Sequence, residues 1–399
     1  MPDPERSMPR TVSRRRLLAT GLALAAAGPA PAAEAVPEDG RYARFLARGP
    51  FADPARFPVG VWLQSPANAR AWAGIGINLY VNLWKGPTAA QLDALAAAGM
   101  PVIAAQNEIA LSPRYRDTVI GWMAHPDEPD NAQPLPGGGY GAPVPPEEMQ
   151  ARYAAMRARD PSRPVLLNLG QGVTWDGWFG RGARTDHPED YPRYIEGADI
   201  VSFDVYPVTS RHAPVAGRIE LIGRGVQRLR GWARAGQGVW AVIGASRIGN
   251  ATRRPNPAEL RAQAFMAIAH GAQGIVWFAH QFAPRFVEAA PLREPDTRAA
   301  LAAVNAEIAG LAPVLGRGRP EPGLRPQAGA GVTVRALAHD GALWLICIND
   351  RPAPTRLRLR LPGAMRGVEP ATGVRVASDA AGRITLGFAG YQPRILRLG

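Results

Sequence analysis

From Phe57 onward, short apolar runs alternate with longer amphipathic ones, and the alternation repeats eight times. The short runs lie at 59–64, 78–84, 101–106, 119–124, 164–169, 200–205, 239–243 and 273–280, and they predict strands. Between them, 89–98, 146–158, 219–235, 257–269 and 296–315 have the length and spacing of helices. Strands separated by helices predict a parallel sheet, and eight such units predict a closed (β/α)8 TIM barrel of the α/β class. An open doubly wound sheet shares the alternation but needs a glycine-rich phosphate turn after its first strand. This chain has Gln64-Ser65-Pro66 there.

After Gly316 the helical pattern stops. Arg319-Pro320-Glu321-Pro322 reads as a linker, and period-two alternation at 332–338, 342–349, 355–361, 383–388 and 394–398 predicts a small antiparallel β-sandwich. Its few aromatics suit a core, so it is expected to act as a stabilising lid against the barrel. The expected organisation is a leader at 1–35, a barrel at 36–318 and a C-terminal sandwich at 328–399.

The leader contains Ser13-Arg14-Arg15-Arg16-Leu17-Leu18, an apolar run at 17–27 and small residues at 30–35. This is the pattern of a twin-arginine export signal, with Leu17 where Phe is usual, and cleavage is expected near residue 32 or 35. Such a signal delivers a folded protein to the periplasm or the exterior. The apolar run is too short for a stable bilayer span, so no membrane insertion is expected after cleavage; an uncleaved N-terminal anchor is the competing reading.

The formal charge of +13 falls to about +10 without residues 1–32. Lys85 is the single lysine, and the arginines are spread along the chain without a basic stripe interleaved with aromatics. Nucleic acid is therefore not an expected partner, whereas an anionic polysaccharide is compatible with the charge. The single cysteine, Cys347, excludes an intrachain disulfide and reads as a buried inert thiol.

In a barrel of this kind, chemistry resides at the C-terminal ends of the strands. Those ends are Gln64, Trp84, Gln106 to Glu108, His125 to Glu128, Asn168, Asp204 to Tyr206, Gly244 to Arg247 and Trp277 to His280. The fourth end is the richest: Asp127-Glu128-Pro129 places two carboxylates on a stiff turn. Glycoside hydrolysis needs one carboxylic acid to protonate the leaving oxygen and a second carboxylate as nucleophile or as base for water. Glu128 is the candidate acid, its pKa raised by the like charge of Asp127. On strand six, Ser202, Asp204 and Tyr206 alternate with Val201, Phe203 and Val205, so the polar set is expected to face the lumen. Trp84, Trp122, Trp175, Trp178, Tyr206, Trp277 and Phe278 offer flat apolar faces for sugar rings. Asn107, Asn131, Asn168 and Gln171, with His125 and His280, are candidates for sugar hydroxyls. A carbohydrate substrate is thus the expected partner. No cofactor is implied, and His125, His187 and His280 lack the paired spacing of a zinc site.

Three runs carry a family resemblance: Gly121-Trp122 through Gln133, Val201-Ser202-Phe203-Asp204-Val205-Tyr206-Pro207, and Gly274-Ile275-Val276-Trp277-Phe278. They resemble bacterial (β/α)8 glycoside hydrolases, closest to the retaining clan with its acid/base on strand four and its nucleophile on strand seven. The resemblance implies Glu128 as acid/base, with Asp127 where Asn is usual, Tyr206 as the aromatic beside the nucleophile and Trp277 as the floor of the sugar site. It also implies a strand-seven Glu where this chain has Gly244. Two readings follow. Either Asp204 or Glu108 supplies the second carboxylate, as strand four and strand six do in α-galactosidase-like barrels, or the nucleophile is lost and a binding cleft without hydrolysis remains. In the second case Gly244 leaves a cavity that admits a small anion. A structural periplasmic protein with no glycan ligand would leave Asp204 and the strand-end aromatics idle.

Overall fold

The computed structural model describes Tyr42, residues 44–45, 48–324 and 331–399. The expected leader at 1–35 and the expected start of the sandwich at 328 lie outside these residues. Eight strands, β1 (Val59–Trp62), β2 (Leu79–Val81), β3 (Val102–Ala104), β4 (Val119–Met123), β5 (Val165–Leu169), β6 (Ile200–Asp204), β7 (Gly238–Gly244) and β8 (Ile275–Phe278), form a closed parallel barrel in chain order. β8 pairs back onto β1, so the sheet has no free edge. Seven of the eight predicted runs contain their strands, and the other, 239–243, lies inside β7.

The returns are made by helices α1 (Ala69–Ala73), α2 (Ala89–Ala97), α3 (Glu108–Leu111), α4 (Pro146–Arg159), α5 (Tyr191–Ile195), α6 (Glu220–Trp232), α7 (Pro257–Ala269), α8 (Ala290–Arg293) and α9 (Pro295–Arg317). Their starts follow local chemistry. Asn256 accepts from Glu259 N at 2.9 Å, the Glu259 carboxylate accepts from Asn256 N at 3.0 Å, and Pro257 sits at the first helical position.

Two packed layers result. Helix-side positions such as Val61, Tyr80, Val119, Leu167, Phe203, Ile243 and Trp277 join one continuous core with the helices. Lumen positions such as Trp62, Val81, Ile103, Met123, Leu166, Trp240 and Val276 fill the barrel. The start of the described chain closes its N-terminal end: Phe51 lies against Trp240 with centroids 6.1 Å apart, and Trp240 Nε1 donates to Tyr42 Oη at 2.9 Å. The C-terminal end is left as the mouth.

Past α9 lie β9 (Arg319–Pro320), β10 (Val332–His339), β11 (Ala342–Asn349), β12 (Thr355–Arg360), β13 (Arg366–Val368), β14 (Arg375–Ala377), β15 (Arg383–Phe388) and β16 (Pro393–Leu398). Six form a sheet in the order β14-β13-β16-β11-β10-β9, and β12 pairs with β15. Leu345, Cys347, Leu357, Leu386 and Leu396 are buried between the two sheets. Burial pushes the Cys347 thiol up to about 12, keeping it protonated. The other face of the large sheet, with Leu337, Ile346, Ile348 and Ile395, joins the barrel core. Arg261 on α7 holds Glu307 on α9 through two 2.7 Å bonds and donates to Pro393 O at 2.9 Å, tying three elements together. The segment read as a linker is partly strand: Arg319 and Pro320 pair with Ala338 and Leu337, as an edge proline can when its ring faces away from the ladder.

Candidate active site

The site is built where β4 and β6 end. β6 holds strict alternation, so Val201, Phe203 and Val205 face the helices while Ser202 and Asp204 face the lumen. Ser202 Oγ donates to Asn168 Oδ1 on β5 at 2.7 Å, giving the mouth a polar floor. Past β4, the turn that carries Glu128 is fixed by its backbone: Asn82 Nδ2 donates to Pro126 O at 2.9 Å, and Gln133 Nε2 donates to Glu128 O at 3.0 Å.

Glu128 and Asp204 are neighbours in the buried mouth, and Asp127 and Tyr206 complete the group. Burial, then the charge of Asp204, then that of Asp127 hold the Glu128 carboxyl well above the ordinary carboxylate range. Burial pushes Asp204 up to about 7, against hydrogen bonds from Tyr206 and Glu128 that favour its charged form. Burial also raises the Tyr206 phenol well above its usual range, so it stays a donor. The consistent picture is a neutral Glu128 beside the Asp204 carboxyl, with the Tyr206 hydroxyl close to both. Two like charges in contact and out of water cannot both ionise cheaply, so the pair keeps one proton near neutrality. An acid that holds its proton beside a base is the pairing that general acid–base or nucleophilic chemistry requires.

Asn131 joins this group: its Nδ2 lies 3.5 Å from Glu128 Oε2, and its Oδ1 accepts from Trp178 Nε1 at 2.8 Å. Trp178 opens an aromatic wall with Trp175, Phe179 and His212, whose neighbouring rings are 4.5–6.0 Å apart. Gln171, half-buried, starts the 3-10 turn Gln171–Val173 beneath that wall. The wall stands on a buried network that sequence reasoning missed. Asp130 accepts from Gly170 N at 2.8 Å and Tyr191 Oη at 3.0 Å, while Arg181 bonds Asp190 at 2.7 Å and His187 O at 2.8 Å. Asp130 lies two residues past Glu128, and that spacing was its only signal.

Several expected residues are placed elsewhere. Trp277 points to the helices and donates to Asn305 Oδ1 at 3.0 Å; its neighbour Phe278 faces the mouth instead, 5.1 Å from the Tyr206 ring. A one-residue step along a strand reverses the face. Trp122 is also buried on the helix side, donating to Asp160 Oδ2 at 3.1 Å under the Arg163 guanidinium. A register irregularity between β3 and β4 puts Ile120 and Met123, three apart, in the lumen and turns Trp122 outward. Glu108 does not reach the site. Its side chain is 89% exposed and pairs with Arg159 at the far end of α4. Asn107 caps α3, accepting from Ala110 N and donating to Pro87 O, both at 2.8 Å. His125 is buried, is held below its usual pKa by desolvation, and donates to Asp127 O at 2.9 Å; it shapes the acidic turn from behind.

Gly244 ends β7 facing the lumen, but the space beyond it is filled. A Cβ there would lie 3.0 Å from Ile248 Cδ1 and 3.3 Å from Tyr206 Cδ1. The Tyr206 ring and Ile248 stand where the expected anion-sized cavity would open.

On the β1–β2–β8 side of the mouth lies a cavity of about 670 Å³. Trp84, 67% exposed, Phe282 and Phe286 form its walls, with Gln64, His280 and Glu288 deeper in. Burial holds His280 neutral, and its ring stacks on Phe286 at 5.8 Å and meets Phe278 at 5.2 Å. Phe278 therefore links the cavity to Tyr206 and the acid pair. Phe282, Phe286 and Glu288 were not expected; two Phe residues four apart flanking Pro284 were the available signal.

No family model and no curated protein matches the chain. Among solved structures it is similar to an α-amylase from Geobacillus thermoleovorans complexed with acarbose, with TM-score 0.51 and 12% identity over 86% of this chain and 98% of that one. It is similar also to an Anoxybacillus α-amylase, with TM-score 0.50 and 10% identity over 87% and 98%. A noncanonic maltogenic α-amylase from Thermotoga neapolitana gives TM-score 0.50 and 11% identity over 85% and 98%. The likeness shows a shared fold: a (β/α)8 barrel followed by a β-rich module.

Proposed function

We propose that the chain is an exported glycoside hydrolase that cleaves an oligo- or polysaccharide, with Glu128 as general acid/base and Asp204 as the second carboxylate. The observation that carries this reading is that Glu128, past the end of β4, and Asp204, at the end of β6, are buried side by side at the mouth, each raising the other's cost of ionising or sharing its hydrogen bonding. Carboxyls that interact this directly sit closer than an inverting pair, which holds a water between carboxylates about 6.5–9.5 Å apart. The geometry favours a double displacement in which Asp204 attacks the anomeric carbon while Glu128 protonates the leaving oxygen. Glu128, then ionised, takes a proton from the water that releases the sugar, and the two groups part to admit the ring. The aromatic walls and the crystallised sugar complexes of similarly folded proteins support a carbohydrate substrate. Export by the twin-arginine route to the periplasm or exterior is proposed from Arg14-Arg15-Arg16 and the apolar run behind it.

The test is sugar release from a broad glycan panel by residues 36–399, beside Glu128→Gln and Asp204→Asn. Release by the parent protein that falls at least about 1000-fold in each variant is expected, since both remove a group that acts at the reacting atoms. Full turnover by either variant refutes its assignment. A second reading, binding without hydrolysis, rests on Gly244 standing where the resemblance implies a strand-seven carboxylate. It predicts glycan binding by all three proteins and release by none.

A further inference from the structure

The C-terminal module carries an unbalanced charge. From 331 to 399 the sequence holds ten arginines and four carboxylates. Each carboxylate is engaged: Asp340 with His339, Asp350 with His270, Glu369 with Arg394 and Asp379 with Arg383. On β12, Leu357 and Leu359 turn into the sandwich core while Arg356, Arg358 and Arg360 are exposed on the opposite face. None of these three has an ion-pair partner among the described residues. The large sheet lies between this face and the barrel, so the row points away from both.

The strand beside the row is low. Gly387 stands opposite Arg356 and Thr385 opposite Arg358, and nothing lies within 4 Å of where a Cβ on Gly387 would be. Alternate residues on a strand are about 6.8 Å apart, so three guanidiniums form a regular row along a shallow floor. Like charges this close repel, and the fold supplies no carboxylate to offset them. The row is complementary to a linear anion with repeating charges.

We propose that this face is a docking strip for a carboxylate-bearing polysaccharide, with Arg356, Arg358 and Arg360 gripping successive uronate groups and Thr385 and Gly387 flooring the chain. Guanidinium forks match carboxylates in two-bond geometry, which lysine cannot do. The exposed positions of β12 and β15 carry no aromatic to stack on a base and no apolar side chain to enter a lipid surface. The choice of a glycan over other polyanions rests on the glycosidase reading above. The strip would hold a polymer on the protein without taking part in the chemistry.

The experiment measures binding of polygalacturonate to residues 36–399 by affinity electrophoresis and calorimetry. It compares the parent protein with Arg356→Gln/Arg358→Gln/Arg360→Gln and with a control, Arg70→Gln/Arg293→Gln/Arg298→Gln, which removes equal charge from exposed positions on barrel helices. Thermal melts establish that both variants fold. The strip triple is expected to weaken binding on the order of tenfold or more, from three surface ion pairs acting together, and the control less than twofold. Equal losses in both, or no binding by the parent protein, overturn the proposal. Tighter binding of single-stranded DNA or of phosphatidylglycerol vesicles, lost in the same triple, overturns it in favour of another polyanion. Glu128→Gln is run alongside: retained binding with no hydrolysis by any protein leaves the strip standing while the glycosidase reading falls.

Discussion

Replacing Asp204 with Asn should make the protein more stable, and more so at high pH. Asp204 is buried against Glu128, and its ionisation is displaced from 3.8 to about 7. The folded-state pKa is raised, so the stability linked to this group is fully present below the unfolded pKa and is lost as pH rises through the folded one. At about 1.4 kcal/mol per tenfold change, ionising Asp204 costs the folded state about 4 kcal/mol above pH 7 but only about 2 kcal/mol at pH 5. Asn keeps the shape, can still accept from Tyr206 and can donate to Glu128, and it never ionises. With an unfolding entropy near 2 cal/mol/K per residue, the Tm of Asp204→Asn should rise by about 5 °C at pH 8 and about 2 °C at pH 5. Differential scanning calorimetry at the two pH values measures both. A gain that is the same at both, or a loss at pH 8, would show that Asp204 is ionised without penalty and that the shared-proton picture is wrong.

Three other perturbations test separate parts of the site. Gly244→Glu should fail to raise activity and should lower stability by about 1–3 kcal/mol, because Ile248 and Tyr206 already fill the space its Cβ needs; azide should give no rescue of turnover on an activated glycoside. Trp84→Ala removes an exposed wall of the cavity away from the acid pair, so KM should rise several-fold with kcat nearly unchanged; an equal fall in kcat would place Trp84 at the reacting atoms. Arg181→Ala leaves Asp130 buried without a cation beside it and Asp190 held by Arg184 alone, at a cost of about 3 kcal/mol, and hydrogen exchange should show loss of protection concentrated between residues 170 and 190.

The barrel was legible because eight apolar runs of strand length had to be buried on two faces, and only helices between them can cover the outer one. The faces of individual residues were less so. Asp204 was placed correctly in the lumen because β6 alternates without interruption, whereas Trp122 follows a register irregularity and Trp277 sits one step from the residue that faces the mouth. A strand end shows in the sequence; which of two adjacent aromatics turns inward depends on pairing to the neighbouring strand. Long-range closures were illegible. Nothing near Glu108 announces Arg159, and nothing near Gly244 announces that Tyr206, from the preceding strand, takes its space.

That last closure bears on mechanism. A carboxylate on strand seven would have to reach the lumen through the volume now held by the Tyr206 ring and Ile248. Tyr206 is itself held by packing 5.1 Å from Phe278, with its hydroxyl near Asp204. The glycine, the tyrosine and the strand-six aspartate are therefore one arrangement. Gly244 allows the ring to lie where it does, the ring aims its hydroxyl at Asp204, and that hydrogen bond favours the charged form of a carboxyl that burial would otherwise hold neutral. A chain that had merely lost a strand-seven nucleophile would leave a gap there and no reason for Asp204 to be buried beside both Tyr206 and Glu128. Moving the second carboxylate to strand six accounts for all three residues at once, and this makes Asp204 the group on which the hydrolytic reading stands.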